Sequence, residues 1–574
     1  MLLPISIDNF RELITSKTPK NPQGLVYVDK SLLIRDVIED SAKVIVLLRP
    51  RRFGKTLNLS MLQHFFAAEV DSESTAGLFD DLAIAQEPAY MDYQGKYPVI
   101  SLTFKDIKVS TFPSCIKMFE EVIAQAYREH RKIIASLNLP EDEQMYVDAI
   151  LKKKATLEDL SFSIKRLTEF LHQHYDVKPI LLIDEYDTPL QMAYSSGYYQ
   201  ETVEFMRNLF SSGLKGNNSI YKAVLTGILR VAKESLFSGV NNVKIYSVLD
   251  KKYAEYFGFT EQEVDKLICN AALTEYSEQM KTWYNGYNFG KTTIYNPWSI
   301  INFLENEEHN LQAYWVNTSD NKLILNLIKT APPVIHETLT SLLSGNYIEE
   351  EIDENIVFSG LGQNADALWS LLLLSGYLTW VTSEISDTKR LCRLRLPNKE
   401  VMFFYNAVIK EWITGKEAGH WYLKFIADSA NGRIYDFEEK LQTLVTQTFS
   451  YHDISRRSQE SFYHGLMLAF VTGLRDTHVI KSNKEAGMGR YDIALIPKDA
   501  NKLGIIIELK AVPTTEGLEK VATEALEQIK THQYVAELAA HGVSRKVLMG
   551  IACAGKKLKM VSEGDVTRSG QSQP

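Results

Sequence analysis

Cysteine is scarce in this chain. Cys115, Cys269, Cys392 and Cys553 are scattered over 574 residues with no metal-ligand spacing. That argues against a zinc module and a disulfide framework, and suits a reducing cytoplasm. The opening, MLLPISIDNFRELI, lacks the basic and long apolar regions of a signal peptide. Long apolar runs are missing too: residues 368–380 (LWSLLLLSGYLTW) are too short and interrupted to span a bilayer and read as a buried helix, so no membrane partner is expected. Internal repeats and low-complexity tracts are absent. The net charge of −9 does not advertise a nucleic-acid binder. Residues 451–574, however, carry 17 Lys and Arg against 14 Asp and Glu, while the rest carries 46 against 58. Only the last segment therefore leans toward an anionic partner. What is present is an ordinary soluble composition, 45% apolar and 24% charged, on a chain long enough for three or four domains.

One stretch organises the chain. Residues 43–60 read KVIVLLRPRRFGKTLNLS. Five apolar residues, 44–48, predict a buried strand, and LNLSMLQHFF predicts a helix. The intervening loop closes on Gly54, Lys55 and Thr56, as a phosphate-binding loop does. Gly54 lets backbone N–H groups close around phosphate oxygens at the positive end of the new helix. Lys55 would reach the terminal phosphates, and the Thr56 hydroxyl would hold Mg²⁺. The usual pattern places Gly five residues before Gly54; this chain has Arg49, then Pro50, Arg51 and Arg52. A basic turn between a strand and a helix is the plainer alternative.

Residues 178–190, KPILLIDEYDTPL, form a second apolar strand ending in Asp184 and Glu185. Asp184 would hold the Mg²⁺ shell and Glu185 would polarise the attacking water. A third strand, residues 223–228, ends near Thr226, Gly227 and Arg230. A polar residue and an Arg there suit γ-phosphate sensing or stabilisation of transition-state charge; a helix-capping or ion-paired Arg is the alternative. An Arg supplied by a neighbour would make the protein a homo-oligomer, whereas Arg230 acting in cis would not. Both remain open.

Near the carboxyl end, Asp492 opens the strand DIALIP, a KDANK turn follows, and GIIIELK carries Glu508 and Lys510. Such a hairpin brings Asp492 near Glu508, and spacing by two puts Glu508 and Lys510 on one strand face. Two carboxylates and an ammonium suit metal-dependent phosphodiester hydrolysis, with Asp492 and Glu508 on Mg²⁺ and Lys510 orienting water. Glu460, on an upstream helix, would complete the metal shell; Gln528 and Tyr534 would stand at the edge of the site. Charged residues at strand ends are common, and a degenerate fold could keep these carboxylates without turnover.

RPRRFGKTLNLSML, LLIDEYDTPL, TGILRVAKESLFSGVNN, WYNGYNFG, IYNPWS and YWVNTS together resemble the bacterial AAA-ATPase-like family. Its members usually end in a nuclease-like module of the PD-(D/E)XK superfamily, and the order Glu460, Asp492, Glu508-x-Lys510, Gln528 resembles that core. The resemblance covers most of the chain. It implies that the family tolerates Arg-Pro-Arg-Arg in the loop, so that Arg51, Arg52 and Phe53 join Gly54 at the nucleotide. It also places residues 1–42, with the YVDK of Asp29 and Lys30, beside the nucleotide base; helix capping and surface charge are the local alternative for these two. LPNKE at 396–400 resembles a family signature without evident chemistry.

The expected fold is α/β: a P-loop NTPase parallel sheet with helices on both faces over 1–250, a helical lid or winged-helix-like middle over 251–450, and a restriction-endonuclease-like domain over 451–560. An unstructured tail, 561–574, would follow. Aromatic clusters with Asn-Gly and Asn-Pro turns at 283–298 read as a packed corner. The expected function is ATP binding and hydrolysis in the cytoplasm, coupled to a Mg²⁺-dependent nuclease acting on DNA or RNA. The rival is a nucleotide-dependent switch whose nuclease-like domain binds without cleaving.

Overall fold

Two apolar runs, β1 (Val44–Leu48) and β3 (Ile180–Asp184), are buried at every position. Strands that read as continuous apolar runs need cover on both faces, which a parallel sheet between helices provides. β2 (Val99–Thr103), β4 (Lys222–Gly227) and β5 (Val243–Tyr246) complete a five-stranded parallel sheet in the order β2-β3-β4-β1-β5. β4 therefore lies between β1 and β3, with Leu47 beside Thr226 and Ile183 beside Leu225. The computed structural model describes residues 7–16, 25–230, 243–315, 322–343, 345–354, 365–386, 389–414, 433–448, 463, 467, 471, 474, 477–486, 489–532 and 534–565.

Helices α1 (Phe10–Thr15) and α2 (Leu33–Glu39) precede the sheet. α3 (Lys55–Phe66) follows the phosphate loop. Four helices, α4 (Phe112–Glu129), α5 (Arg131–Ser136), α6 (Glu141–Leu151) and α7 (Leu157–Tyr175), lie between β2 and β3. A capping box of Thr156 and Asp159 starts α7 by satisfying two otherwise orphaned amides. α8 (Thr188–Ser196) and α9 (Tyr199–Leu214) link β3 to β4.

The chain divides into two compact units, Met1–Leu323 with Glu349–Glu400, and Ile324–Ile348 with Val401–Pro574. The middle is mostly helical but carries two three-stranded sheets. In the first unit, β6 (Phe259–Thr260), β7 (Tyr287–Phe289) and β8 (Thr292–Tyr295) pair in the order β6-β8-β7. Around them lie α10 (Glu261–Asn270), α11 (Ser277–Tyr284) and α12 (Pro297–Glu305). A second small sheet orders β9 (Ile348–Ile352), β10 (Thr379–Ser386) and β11 (Lys389–Arg395) as β9-β11-β10. The apolar run at 368–380 is only partly the expected helix. α13 (Ala365–Leu374) ends before Gly376, whose φ of 87° favours glycine, and Thr379 and Trp380 open β10. α14 (Lys399–Thr414) begins at the end of the first unit.

In the second unit, β12 (His478–Ala486), β13 (Gly489–Pro497), β14 (Gly504–Ala511), β15 (Lys546–Ala554) and β16 (Lys557–Gly564) form one sheet in sequence order. Only β14 and β15 pair in parallel. The connection between them carries α16 (Leu518–Thr531), whose Leu526 and Ile529 pack on Ala494, Ile506 and Leu548. β16 takes 561–564 out of the expected tail, because its residues pair along β15. Its outward amides at Leu558 and Met560 donate to Gln442 and Glu438 of α15 (Ile434–Thr448) at 2.9 and 3.0 Å.

Candidate nucleotide and nuclease-like sites

The phosphate loop gets its shape from two left-handed residues. Gly54 has a φ of 83° and caps α3 without a side-chain bond, leaving the first helical N–H groups directed into the loop. Arg52 has a φ of 65°, a conformation costing a side-chain-bearing residue about 1 kcal/mol. Its guanidinium lies 4.2 Å from the centre of the Trp298 ring, and this cation–π contact offsets that cost. Lys55 is buried and donates from Nζ to the carbonyls of Arg49 (3.1 Å) and Pro50 (2.9 Å). Burial lowers its pKa, an effect opposed by the carboxylates of Glu185, Asp184 and Asp187.

Arg49, where a glycine is usual, points away from the loop's mouth. It is completely buried, and Nη1 donates to the carbonyls of Leu48 (2.7 Å) and Tyr246 (3.1 Å). The rings of Phe257 and Phe289 lie 5.3 Å from it. Burial brings its pKa down to about 10, so it stays charged at neutral pH. The side chain thus fastens β1 to β5 beneath the loop. Phe53 is also fully buried, packed on Tyr287 and Phe289, and is part of this foundation. Arg51 reaches sideways, from Nη2 to Gln191 Oε1 at 3.2 Å.

At the tip of β3, the Asp184 carboxylate accepts from Thr56 Oγ1 at 2.6 Å and from Thr226 Oγ1. Burial raises the Asp184 pKa, against the pull of both hydroxyls. The next residue, Glu185, has a φ of 51°, a left-handed turn that separates its direction from that of Asp184. Glu185 lines the cavity beside the loop and accepts from Thr188 Oγ1 at 3.1 Å. Asp187 takes the amides of Ile228 and Leu229 at 3.0 and 2.9 Å. Gly227 permits that approach, since a Cβ there would lie 2.7 Å from Asp187 Oδ1. Thr226 is buried under Asp184 and does not line the cavity; Arg230, half-buried just beyond β4, is likewise outside its lining.

The cavity holds about 420 Å³ and has two ends. Lys55, Thr56, Glu185, Lys105 and Lys108 form a polar end. Val26, Val28, Phe259, Leu267, Trp298 and Ile301 form an apolar one. Lys30 braces the second end by donating from Nζ to Glu263 (2.7 Å) and to the Glu255 carbonyl (2.7 Å). Asp29 accepts the amides of Ser31 and Ala83, so it shapes the turn. Trp298 makes the aromatic corner one wall of the cavity as well as packing.

The second constellation sits on the β13–β14 hairpin. Ile493 pairs with Ile507, so the next pair outward is Asp492 opposite Glu508. Asp492 accepts the Leu509 amide at 2.7 Å. Glu508 is 5% exposed and accepts from Gln528 Nε2 on α16. Lys510, two residues on, is half-buried on the same strand face. Gly550, paired with Glu508 across β15, lets α16 reach the sheet: a Cβ there would stand 2.1 Å from the Ala522 carbonyl. Tyr534 differs from expectation. It is 1% exposed in the core with Ile529 and Leu538, because the chain turns under the sheet after α16. Glu460 lies outside the described residues. No group of three or more metal-ligating His, Cys, Asp or Glu side chains occurs among the described residues.

Residues 4–237 match the family described as a predicted AAA-ATPase, and residues 458–563 match the PD-(D/E)XK nuclease superfamily. The chain carries an AAA-ATPase-like domain and a PD-(D/E)XK nuclease-superfamily domain. A protein of Azotobacter chroococcum mcd 1, described as an uncharacterized protein in the vnfD 5' region, is 25% identical over 558 residues, 94% of each chain. Among the described residues no helix is long and apolar enough to cross a membrane.

In the AAA-ATPase-like domain, Thr56 and Asp184 present hard oxygen donors next to Lys55, a set suited to Mg²⁺ with a polyphosphate. In the nuclease-superfamily domain, Asp492 and Glu508 present the same donor type at adjacent strand positions. Several site residues escape a sequence reading. Lys105 and Lys108 follow β2, and the carboxyl-edge position of that strand is the available signal. Asp187, Gly550 and the apolar wall of Val26 and Val28 have none, since their roles come from contacts distant in sequence.

Proposed function

We propose that the AAA-ATPase-like domain binds and hydrolyses ATP, and that this activity controls a Mg²⁺-dependent nuclease in the PD-(D/E)XK domain, acting on DNA or RNA in the cytoplasm. The observation carrying the first half is the Thr56–Asp184 hydrogen bond of 2.6 Å beside the buried Lys55. ATP would lie with its base against Val26, Val28 and Trp298 and its phosphates over the amides of the Gly54 loop. Thr56 and Asp184 would hold Mg²⁺, which neutralises phosphate charge when bound. Glu185 orients and deprotonates the attacking water, its direction fixed by its left-handed backbone and by Thr188. Lys55 follows the charge developing on the terminal phosphoryl group, and Arg230, in cis or from a second copy, adds to it.

In the second domain, Asp492 and Glu508, with Glu460, would hold the metal, and Lys510 orients water toward the scissile phosphate. Gln528 fixes the Glu508 carboxylate from α16. The test is cleavage of labelled single- and double-stranded DNA and RNA with Mg²⁺ or Mn²⁺, with and without ATP. Wild type, Lys55→Ala and Glu508→Ala are compared. Cleavage that disappears in Glu508→Ala and loses its ATP response in Lys55→Ala supports both halves. ATP hydrolysis without cleavage by wild type would instead favour a nucleotide-dependent switch.

A further inference from the structure

Several sequence motifs without assigned chemistry meet behind the phosphate loop. Glu400, the last residue of LPNKE, is completely buried; it accepts the Trp315 amide on Oε1 at 2.6 Å and the Ser299 hydroxyl on Oε2 at 2.8 Å. Trp315, from YWVNTS, donates its indole N–H to the Arg51 carbonyl at 3.1 Å, inside the loop itself. Ser299 ends IYNPWS in the first turn of α12, where Asn296 accepts its amide at 3.2 Å. It directly follows Trp298, the ring under Arg52. On the other side, Asn398 donates to the Asn285 carbonyl at 2.8 Å, and Lys399 lies 4.8 Å from the Trp283 ring. The Pro397 carbonyl backs so closely onto Gly286 that a Cβ there would be 2.1 Å away. A buried carboxyl group is costly unless its partners are geometrically fixed, so this one defines a unique arrangement of the segments it joins.

We propose that Glu400 is a positioning residue for the phosphate loop: through Trp315 it holds the Arg51 carbonyl, and so the backbone that receives the nucleotide. α14 starts at Lys399, and the chain passes into the second unit at Val401. One carboxylate therefore anchors both the loop and the first turn of the helix leading out of the nucleotide unit. Its consequence for ATP rests on the function proposed above; the positioning does not.

The test uses the full chain and two readouts: hydrogen exchange of residues 49–56 without nucleotide, and the Kd for ATP. Glu400→Ala and Trp315→Phe should each speed exchange at 49–56 and weaken ATP binding roughly tenfold. Glu400→Gln, which keeps an acceptor for the Trp315 amide, should fall between Glu400→Ala and wild type. Leu171→Ala, a cavity in the completely buried core of α7, is the control for general destabilisation. The proposal is overturned if 49–56 exchanges at the wild-type rate in folded Glu400→Ala and Trp315→Phe, or if Leu171→Ala speeds it equally. If wild type binds no ATP, the proposed function fails while the exchange comparison still decides the positioning.

Discussion

The Thr56 hydroxyl donates to Asp184 at 2.6 Å, joining the first turn of α3 to the end of β3 across 128 residues of chain. The bond is possible because β4 holds β1 and β3 at a fixed separation, with Thr226 donating to the other oxygen of the same carboxylate. Thr56→Ala removes one of two hydroxyl donors to a buried acid. A destabilisation of about 1–3 kcal/mol follows from the lost partner. Mg²⁺-dependent nucleotide affinity should fall by at least tenfold, and Thr56→Ser should restore most of both. Calorimetric titration with and without Mg²⁺ checks this; equal affinities in Thr56→Ala and wild type would contradict it.

Replacing Arg49 by Gly would give the loop its more usual residue, yet the expected outcome is loss. The substitution removes bonds to two carbonyls and contacts with two aromatic rings, leaving a cavity under the loop. A cost of about 3 kcal/mol or more is expected from these combined losses. Thermal unfolding should show it as a lower midpoint for the nucleotide unit. An unchanged midpoint would mean that Arg49 is replaceable filler.

Gly550→Ala should disrupt the nuclease-superfamily domain while leaving nucleotide binding intact. Its new methyl group meets the Ala522 carbonyl and the Leu526 amide, both helix backbone, so α16 must lift from the sheet. Overpacking of this kind costs typically about 1–3 kcal/mol, and rigid backbone on one side favours the upper end. The lift also separates Gln528 from Glu508. Hydrogen exchange across 518–531 should rise, and protection there equal to wild type would refute the packing argument.

Glu400 should make stability depend on pH. Burial pushes its pKa up to about 7, against the pull of the Trp315 amide and the Ser299 hydroxyl, and the phenols of Tyr284 and Tyr287 face it. A carboxyl whose pKa is higher folded than unfolded keeps its proton longer in the folded state. Stability therefore declines as pH rises from about 4.3, the ordinary Glu value, to about 7. Denaturant midpoints at pH 5 and 7.5 should differ in wild type, and Glu400→Gln should reduce the difference.

Much of this architecture is legible in the sequence because its signals are local. An apolar run of five, a Gly-Lys-Thr turn and an acidic pair each depend on adjacent residues, and they identify β1, α3 and β3. The hairpin carrying Asp492 and Glu508 is legible for the same reason. Arg49 shows the limit: the sequence marks it only as a departure from the usual Gly, and Phe257 and Phe289, some 200 residues away, make it a foundation of the loop. Tyr534 is buried with Ile529 and Leu538, a placement that strand and helix periodicity does not specify. The cavity's apolar wall and the Glu400 network are likewise assembled from segments hundreds of residues apart, beyond any local pattern.

Gln442 and Glu438 occupy outward amides of Leu558 and Met560 along β16. A bordering strand whose donors are already engaged by a helix is a poor template for another chain. Sheet-to-sheet growth across that border, whether into a continuous dimer or into fibrils, is blocked there.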